Sequence, residues 1–149
     1  MTLYLDTSAL VKLYVVEAGS DDVLQWIADA SSVWTSLVTF PEARSALGRR
    51  LRERSLSQLD HEEILLQLDN DWRDLDTVHV DPTLAIAAGA LCTKHGLRGF
   101  DSVQLASALY ARSLAAGDFV AATYDPVLAR AMRAEGIVVH GTPLHLNQR

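Results

Sequence analysis

Four carboxylates in this chain stand where chemistry is usually placed. Asp6, Glu42, Asp101 and Asp125 are separated by gaps of 36, 59 and 24 residues. Asp6 directly follows the β-favouring run Leu3-Tyr4-Leu5, and Asp125 closes Ala122-Thr123-Tyr124-Asp125 after a second such run. Glu42 and Asp101 each fall in the first turn of a helical pattern. In a parallel sheet, ligands gather outside the carboxyl ends of the strands, so all four acids could converge on one edge. Two unit charges 4 Å apart at an effective dielectric near 20 repel by roughly 4 kcal/mol, so such a cluster needs a cation. Oxygen-only donors suit hard ions such as Mg²⁺ or Mn²⁺. One cysteine, Cys92, and five scattered histidines (His61, His79, His95, His140, His145) give no zinc-ligand spacing.

Each acid taken alone also has a plain structural use. Asp6 before Thr7-Ser8 could help start a helix, Asp125 before Pro126 could cap one, and Glu42 could favour a helix N-terminus electrostatically. Asp101 resists that reading most. Gly99-Phe100 precedes it and the apolar Val103, Leu105 and Ala106 follow, which sets a charge at the mouth of a buried helix.

The elements that must position these acids alternate along the chain. Short strands are expected over residues 3–5, 32–35, 77–80, 119–123 and 137–139, and helices fill the intervals. Thr7 or Ser8 can cap a helix beginning near Ala9, and Val23, Leu24 and Ile27 mark an amphipathic segment after Gly19-Ser20. A helix over residues 39–54 takes Pro41 in its first turn, where the missing N–H costs nothing. Ile64, Leu65, Leu68, Trp72 and Leu75 recur at helical spacing. Asp81-Pro82 announces the apolar helix 84–92, Gly96 and Gly99 bracket a turn, and residues 101–116 form a largely buried helix. Short apolar strands alternating with helices predict a mostly parallel sheet covered on both faces, an α/β fold in one domain spanning residues 1–149.

The chain carries 13 Lys+Arg against 19 Asp+Glu, a net charge of −6, and 49% of its residues are apolar. That is globular composition, and it excludes a disordered chain or a collagen-like repeat. The longest apolar stretch, residues 84–92, is too short to span a bilayer. An N-terminus without a basic region and a single cysteine fit a protein of the reducing cytoplasm. The acidic balance, taken as a total, speaks against a nucleic-acid partner. Yet residues 60–81 hold eight acids and one base, which leaves 12 bases against 11 acids elsewhere. Immediately upstream, Arg44, Arg49, Arg50, Arg52 and Arg54 put five cations into eleven residues. Net charge therefore does not exclude RNA; it marks residues 60–81 as the region where RNA is least expected to lie. The arginine run could lead phosphates to the acids or form a protein-contact surface, and a solvated helix face is the simplest use of the acidic run.

The ordered set of motifs resembles the PIN-domain family, and within it the VapC-type ribonuclease toxins of toxin–antitoxin pairs. The matching pieces are Leu5-Asp6-Thr7-Ser8-Ala9-Leu10-Val11-Lys12, Thr35-Ser36 leading to Glu42, Gly99-Phe100-Asp101-Ser102-Val103-Gln104-Leu105-Ala106-Ser107-Ala108, and Ala122-Thr123-Tyr124-Asp125. The resemblance implies a three-layer α/β/α fold whose acidic pocket holds one or two Mg²⁺ or Mn²⁺ ions and hydrolyses RNA. It implies Asp6, Glu42 and Asp101 as core acids, with Asp125 as a fourth, more variable one. Ser8 and Thr123 match hydroxyl positions that orient a carboxylate or a metal-bound water. A VapB-type antitoxin and a homodimer are the implied protein partners. Pro41 before the glutamate and Ser102-Val103-Gln104 after the third acid depart from the usual wording, and substrate choice is where such differences are expected to act.

Two other readings compete. An Asp after the first strand also resembles haloacid-dehalogenase-type phosphotransfer with Asp6 as nucleophile, but that chemistry wants a second Asp two residues on, where this chain has Ser8. A non-catalytic interaction domain would use the acids only to bind a basic partner segment.

Overall fold

The computed structural model describes residues 1–143; His145 lies outside the described residues. Five strands, β1 (Thr2–Leu5), β2 (Ser32–Ser36), β3 (Asp76–Val78), β4 (Phe119–Thr123) and β5 (Val138–Gly141), pair in the order β3-β2-β1-β4-β5. Every pairing is parallel. The expectation of a mostly parallel sheet thus becomes an all-parallel one. β1 is central, with Leu3 opposite Val33 on one side and Val120 on the other. Its residues Leu3, Tyr4 and Leu5 are fully buried, as a strand covered on both faces requires.

Alternation of side chains along the strands separates two cores. Leu3, Leu5, Val120 and Ala122 face a layer built from α1 (Thr7–Leu10), α2 (Ser20–Asp29), α3 (Thr39–Arg52) and α4 (Gln58–Asp71), packing with Leu10, Val23, Leu47 and Leu68. Tyr4, Phe119 and Ala121 face the opposite layer of α5 (Pro82–His95), α6 (Gly99–Leu114) and α7 (Pro126–Ala134), packing with Ala88, Leu105, Leu128 and Met132. The result is a three-layer α/β/α arrangement. No described helix is long and apolar enough to cross a membrane.

Several boundaries differ from expectation for local reasons. The cap of α1 is Asp6, not Thr7 or Ser8: its backbone is extended and its side chain accepts from the Ala9 N–H. That helix lasts four residues and tightens into a 3-10 turn at Val11–Leu13. α3 stops at Arg52 because Arg54 is left-handed, with φ 58°. α4 ends at Asp71, so Trp72 lies in a 3-10 turn and Leu75 in extended backbone, though both still pack on the core. β3 runs out at Val78, where its pairing with Ser36 ends, and Val80 lies beyond it. Gly99 opens α6 instead of bracketing a turn before it, and Ile137 is buried just ahead of β5.

The chain runs outward from β1 to β2 and β3, then crosses back to place β4 on the other side of β1. The order reverses between β1 and β4. A crevice at the carboxyl ends of those two strands is therefore the expected ligand site.

Candidate active site

Asp6 sits at the end of β1 and is only 4% exposed. Its Oδ1 accepts from the Ala9 N–H at 2.9 Å, and its Oδ2 accepts from the Thr123 hydroxyl at 2.6 Å. The Ser8 hydroxyl straddles both oxygens at 2.7 and 2.9 Å. Ser8 and Thr123 also accept from the loop after β4, at 2.8 Å from the Tyr124 N–H and 3.1 Å from the Asp125 N–H. Two hydroxyls thereby tie the end of β1 to the end of β4 through one carboxylate.

Glu42 arrives from the first turn of α3 and is held by a different set of groups. Its Oε1 accepts from Thr7 Oγ1 and from Gln104 Nε2, both at 2.9 Å. The Gln104 amide also donates to Thr39 Oγ1 at 2.8 Å, while its carbonyl accepts from the Tyr4 hydroxyl at 2.6 Å. Gln104 is 2% exposed, so nearly all its hydrogen-bonding capacity is met inside the protein. It lies three residues after Asp101 on the same face of α6, one turn on, and joins the two helices that deliver Glu42 and Asp101.

Asp101 stands in the first turn of α6, with the Arg98 guanidinium 3.6 Å from its Oδ2. Asp125 caps α7, its Oδ1 accepting from the Val127 and Leu128 N–H groups. Asp6, Ser8, Glu42, Asp101 and Asp125 all line one cavity of about 430 Å³. Thr123 is fully buried and does not line the cavity itself, but its hydroxyl touches three groups that belong to cavity-lining residues: Asp6 Oδ2, Ser8 Oγ and the Asp125 N–H. A larger cavity of about 550 Å³ lies elsewhere, walled mainly by Trp34, Leu84, Leu91, Leu109 and Tyr110, and gathers no comparable set of acids.

The electrostatics of the pocket are governed first by burial and then by the neighbouring carboxylate of Asp125. Burial pushes the Asp6 carboxyl up from its ordinary 3.8 to about 6, against the hydrogen bonds from Thr123, Ala9 and Ser8, and Asp125 adds to the rise. Asp101 is raised too, by burial and then by Asp125, with Arg98 opposing. Among the described residues no three His, Cys, Asp or Glu side chains form a ready-made metal cage. The donor set nevertheless fits a hard cation, since all four acids offer oxygen and Asp125 acts as a like charge on both Asp6 and Asp101.

Cations line the same cavity. Lys12 Nζ donates to Glu17 Oε1 at 3.0 Å and to the Ala18 carbonyl at 2.7 Å, and stands 4.2 Å from the centroid of the Tyr124 ring. Arg50 Nη2 lies 3.0 Å from Glu17 Oε2, and Arg49 also lines the pocket. Burial favours the neutral form of Glu17, but Lys12 and Arg50 outweigh it and hold the carboxyl below its usual range. Only these two of the five clustered arginines reach the cavity. Arg44 pairs with Asp69 at 2.9 Å and lies over Phe40, and neither Arg52 nor Arg54 lines the pocket.

Lys12, Glu17, Thr7, Gln104 and Tyr124 are pocket residues that spacing arguments did not single out for a role. Thr7 and Lys12 had a signal in being next to Asp6 and one to two turns beyond it. Gln104 had one in its polarity within an apolar helix. Of the unusual residues around it, Ser102 donates to the Gly99 carbonyl and accepts from Cys92, and neither Ser102 nor Val103 lines the cavity. Of this stretch only Gln104 lines the cavity.

Tyr124 owes its place to glycine. Its hydroxyl donates to the Gly19 carbonyl at 3.1 Å, and a Cβ at Gly19 would fall 2.4 Å from that oxygen. Gly19 also has φ 92°, so Gly19→Ala adds a clash to about 1–2 kcal/mol of backbone strain. Calorimetry should show a lowered melting temperature for this variant, with Tyr124 displaced from the pocket wall.

A parallel α/β/α sheet with an acidic pocket at its switch point defines a class of protein, and comparison gives the family. The PIN domain model matches residues 3–133, and the chain belongs to that family. Ribonuclease VapC45 of Mycobacterium tuberculosis is 34% identical over 140 residues, which cover 90% of this chain and 91% of the relative. Among solved structures, Mycobacterium tuberculosis VapC20, described as a sarcin-ricin loop cleaving toxin, superposes with a TM-score of 0.64 at 18% identity, covering 91% of this chain and 96% of its own. VapBC2 from Rickettsia felis, bound to a DNA fragment from its promoter, gives 0.63 at 13% identity with 93% and 97% covered.

Proposed function

We propose that this chain is a metal-dependent endoribonuclease and the toxin of a toxin–antitoxin pair. The observation that carries the reading is the meeting of Asp6, Glu42, Asp101 and Asp125 around one cavity that also presents Lys12, Arg49 and Arg50. The ribonuclease names of relatives at a third identity support it. Mg²⁺ or Mn²⁺ would be held chiefly by Asp6 and Asp101, with Glu42 and Asp125 completing the set, and would supply a water activated near neutral pH and charge stabilisation on the phosphate.

The chain's own residues do the rest. Ser8 and Thr123 fix the Asp6 carboxylate at the cavity wall by hydrogen bonds to its two oxygens. Gln104 and Thr7 hold the Glu42 carboxylate through its Oε1. The cations at the rim attract the RNA backbone and offset the field of the acids. A VapB-type antitoxin is the proposed regulator, consistent with the VapBC assembly among the structural neighbours, and a homodimer is the proposed assembly.

Purified protein should cut single-stranded RNA when Mg²⁺ or Mn²⁺ is added and stop when EDTA removes it. Expression without an antitoxin should arrest growth. Equal cutting with and without EDTA would remove metal from the mechanism. A folded protein that binds a partner yet cuts no RNA would favour the interaction-domain reading instead.

A further inference from the structure

We propose that Lys12, Glu17 and Arg50 form a phosphate subsite in which the Glu17 carboxylate occupies the place of an RNA backbone phosphate. The proposal rests on the reading of the neighbouring acids as an RNA-cutting site and adds where the strand is gripped and what it displaces. Glu17 bridges two cations with separate oxygens, Oε1 to Lys12 Nζ and Oε2 to Arg50 Nη2, each at 3.0 Å. Two non-bridging phosphate oxygens can make the same pair of contacts with the same charge.

The cations stay in place when the carboxylate leaves. Lys12 keeps the Ala18 carbonyl and the Tyr124 ring, and its side chain is only 11% exposed. Arg50 remains on α3 beside Arg49, which makes no ion pair among the described residues. Glu17 itself is on the connection leading into α2, next to Val16, which is 98% exposed, so the carboxylate has solvent to move into. The Glu17 side chain is 29% exposed, more than that of Lys12, so the carboxylate is the member of the Lys12–Glu17 pair nearer to solvent. All three side chains line the same cavity as the four acids, within reach of a strand whose scissile phosphate lies among them.

Binding of 5′-fluorescein-labelled decauridylate, followed by anisotropy in EDTA at low salt, tests this without any cutting. Phosphate contacts are independent of base sequence, so a uridine strand suffices. Lys12→Met and Arg50→Met should each weaken binding about 5–10-fold and reduce the slope of log K against log salt by about 0.7. Glu17→Gln should tighten binding about threefold or more, since a competing anion is gone. Arg44→Met, away from the cavity, should bind like the wild type. If Glu17→Gln lowers the melting temperature and leaves affinity unchanged or weaker, Glu17 is only a clamp and the subsite is wrong. A wild type that does not bind the strand overturns it too. A wild type that cuts RNA while all three pocket variants bind normally removes the subsite and leaves the ribonuclease reading standing. The expected pattern in a protein that cuts no RNA does the reverse.

Discussion

Asp6→Asn is expected to lower RNA cutting at least about a hundredfold while making the metal-free protein more stable, because it removes a charge the fold holds at a cost. Asparagine can keep the α1 cap through its oxygen, and the Ser8 and Thr123 hydroxyls can turn to suit it. The sign of the stability effect follows from the direction of the shift. A carboxyl with an ordinary value of 3.8 that stands at about 6 in the folded state favours folding when protonated, so stability is lost as pH rises from about 4 through 6. At pH 7.5 the difference is on the order of 3 kcal/mol. Removing it should raise the melting temperature of the EDTA-treated protein by several degrees and flatten its dependence on pH between 4 and 6. Added Mg²⁺ or Mn²⁺ should raise the wild type's melting temperature and leave that of Asp6→Asn nearly unmoved. Retained cutting, or a metal-free melting temperature below the wild type's, would contradict this account of Asp6.

Gln104→Leu should damage both fold and activity, for the opposite reason. The substitution roughly conserves volume but leaves the Tyr4 hydroxyl, fully buried, without its acceptor and takes donors from Glu42 and Thr39. Stranding one buried polar group costs about 1–3 kcal/mol, and here up to three are affected. A loss of about 3–5 kcal/mol is a large share of the 5–15 kcal/mol that holds a typical domain together. Denaturant titration measures that loss. Any protein that still folds should cut RNA more slowly, with Glu42 held by the Thr7 hydroxyl alone. Gln104→Glu adds a charge beside Glu42 and should be worse than Leu at neutral pH but recover as pH falls. A Gln104→Leu variant with wild-type stability and rate would show that Glu42 needs no such support.

The sequence made the layers legible because period-2 and period-3.6 patterns report burial directly, and β1, β4, α3 and α6 fall close to where those patterns lie. The acids were legible individually as residues at strand ends and helix starts. What spacing could not show was how they are held. Asp6 turned out to be both a helix cap and a pocket acid, so its plain structural use and its functional one are the same hydrogen-bonding geometry. The Tyr4-Gln104-Glu42 chain joins residues up to 100 positions apart, and no local pattern encodes such a contact. The short 3-10 turns after α1 and α4 were missed because the apolar spacing continues through them while the backbone tightens.

The two hydroxyl bridges across the switch point also set the order in which this protein can become active during its own synthesis. Asp6 is among the first residues made, but Thr123 and the Tyr124 N–H, which complete its surroundings, follow about four-fifths of the way along the chain. β1 waits equally long for β4, its partner over four residues. Until that strand has left the ribosome, Asp6 has neither its neighbouring wall nor Asp125. The pocket is therefore complete only when most of the chain has been made, so a growing chain carries Asp6 without the groups that hold it from β4 and without Asp125.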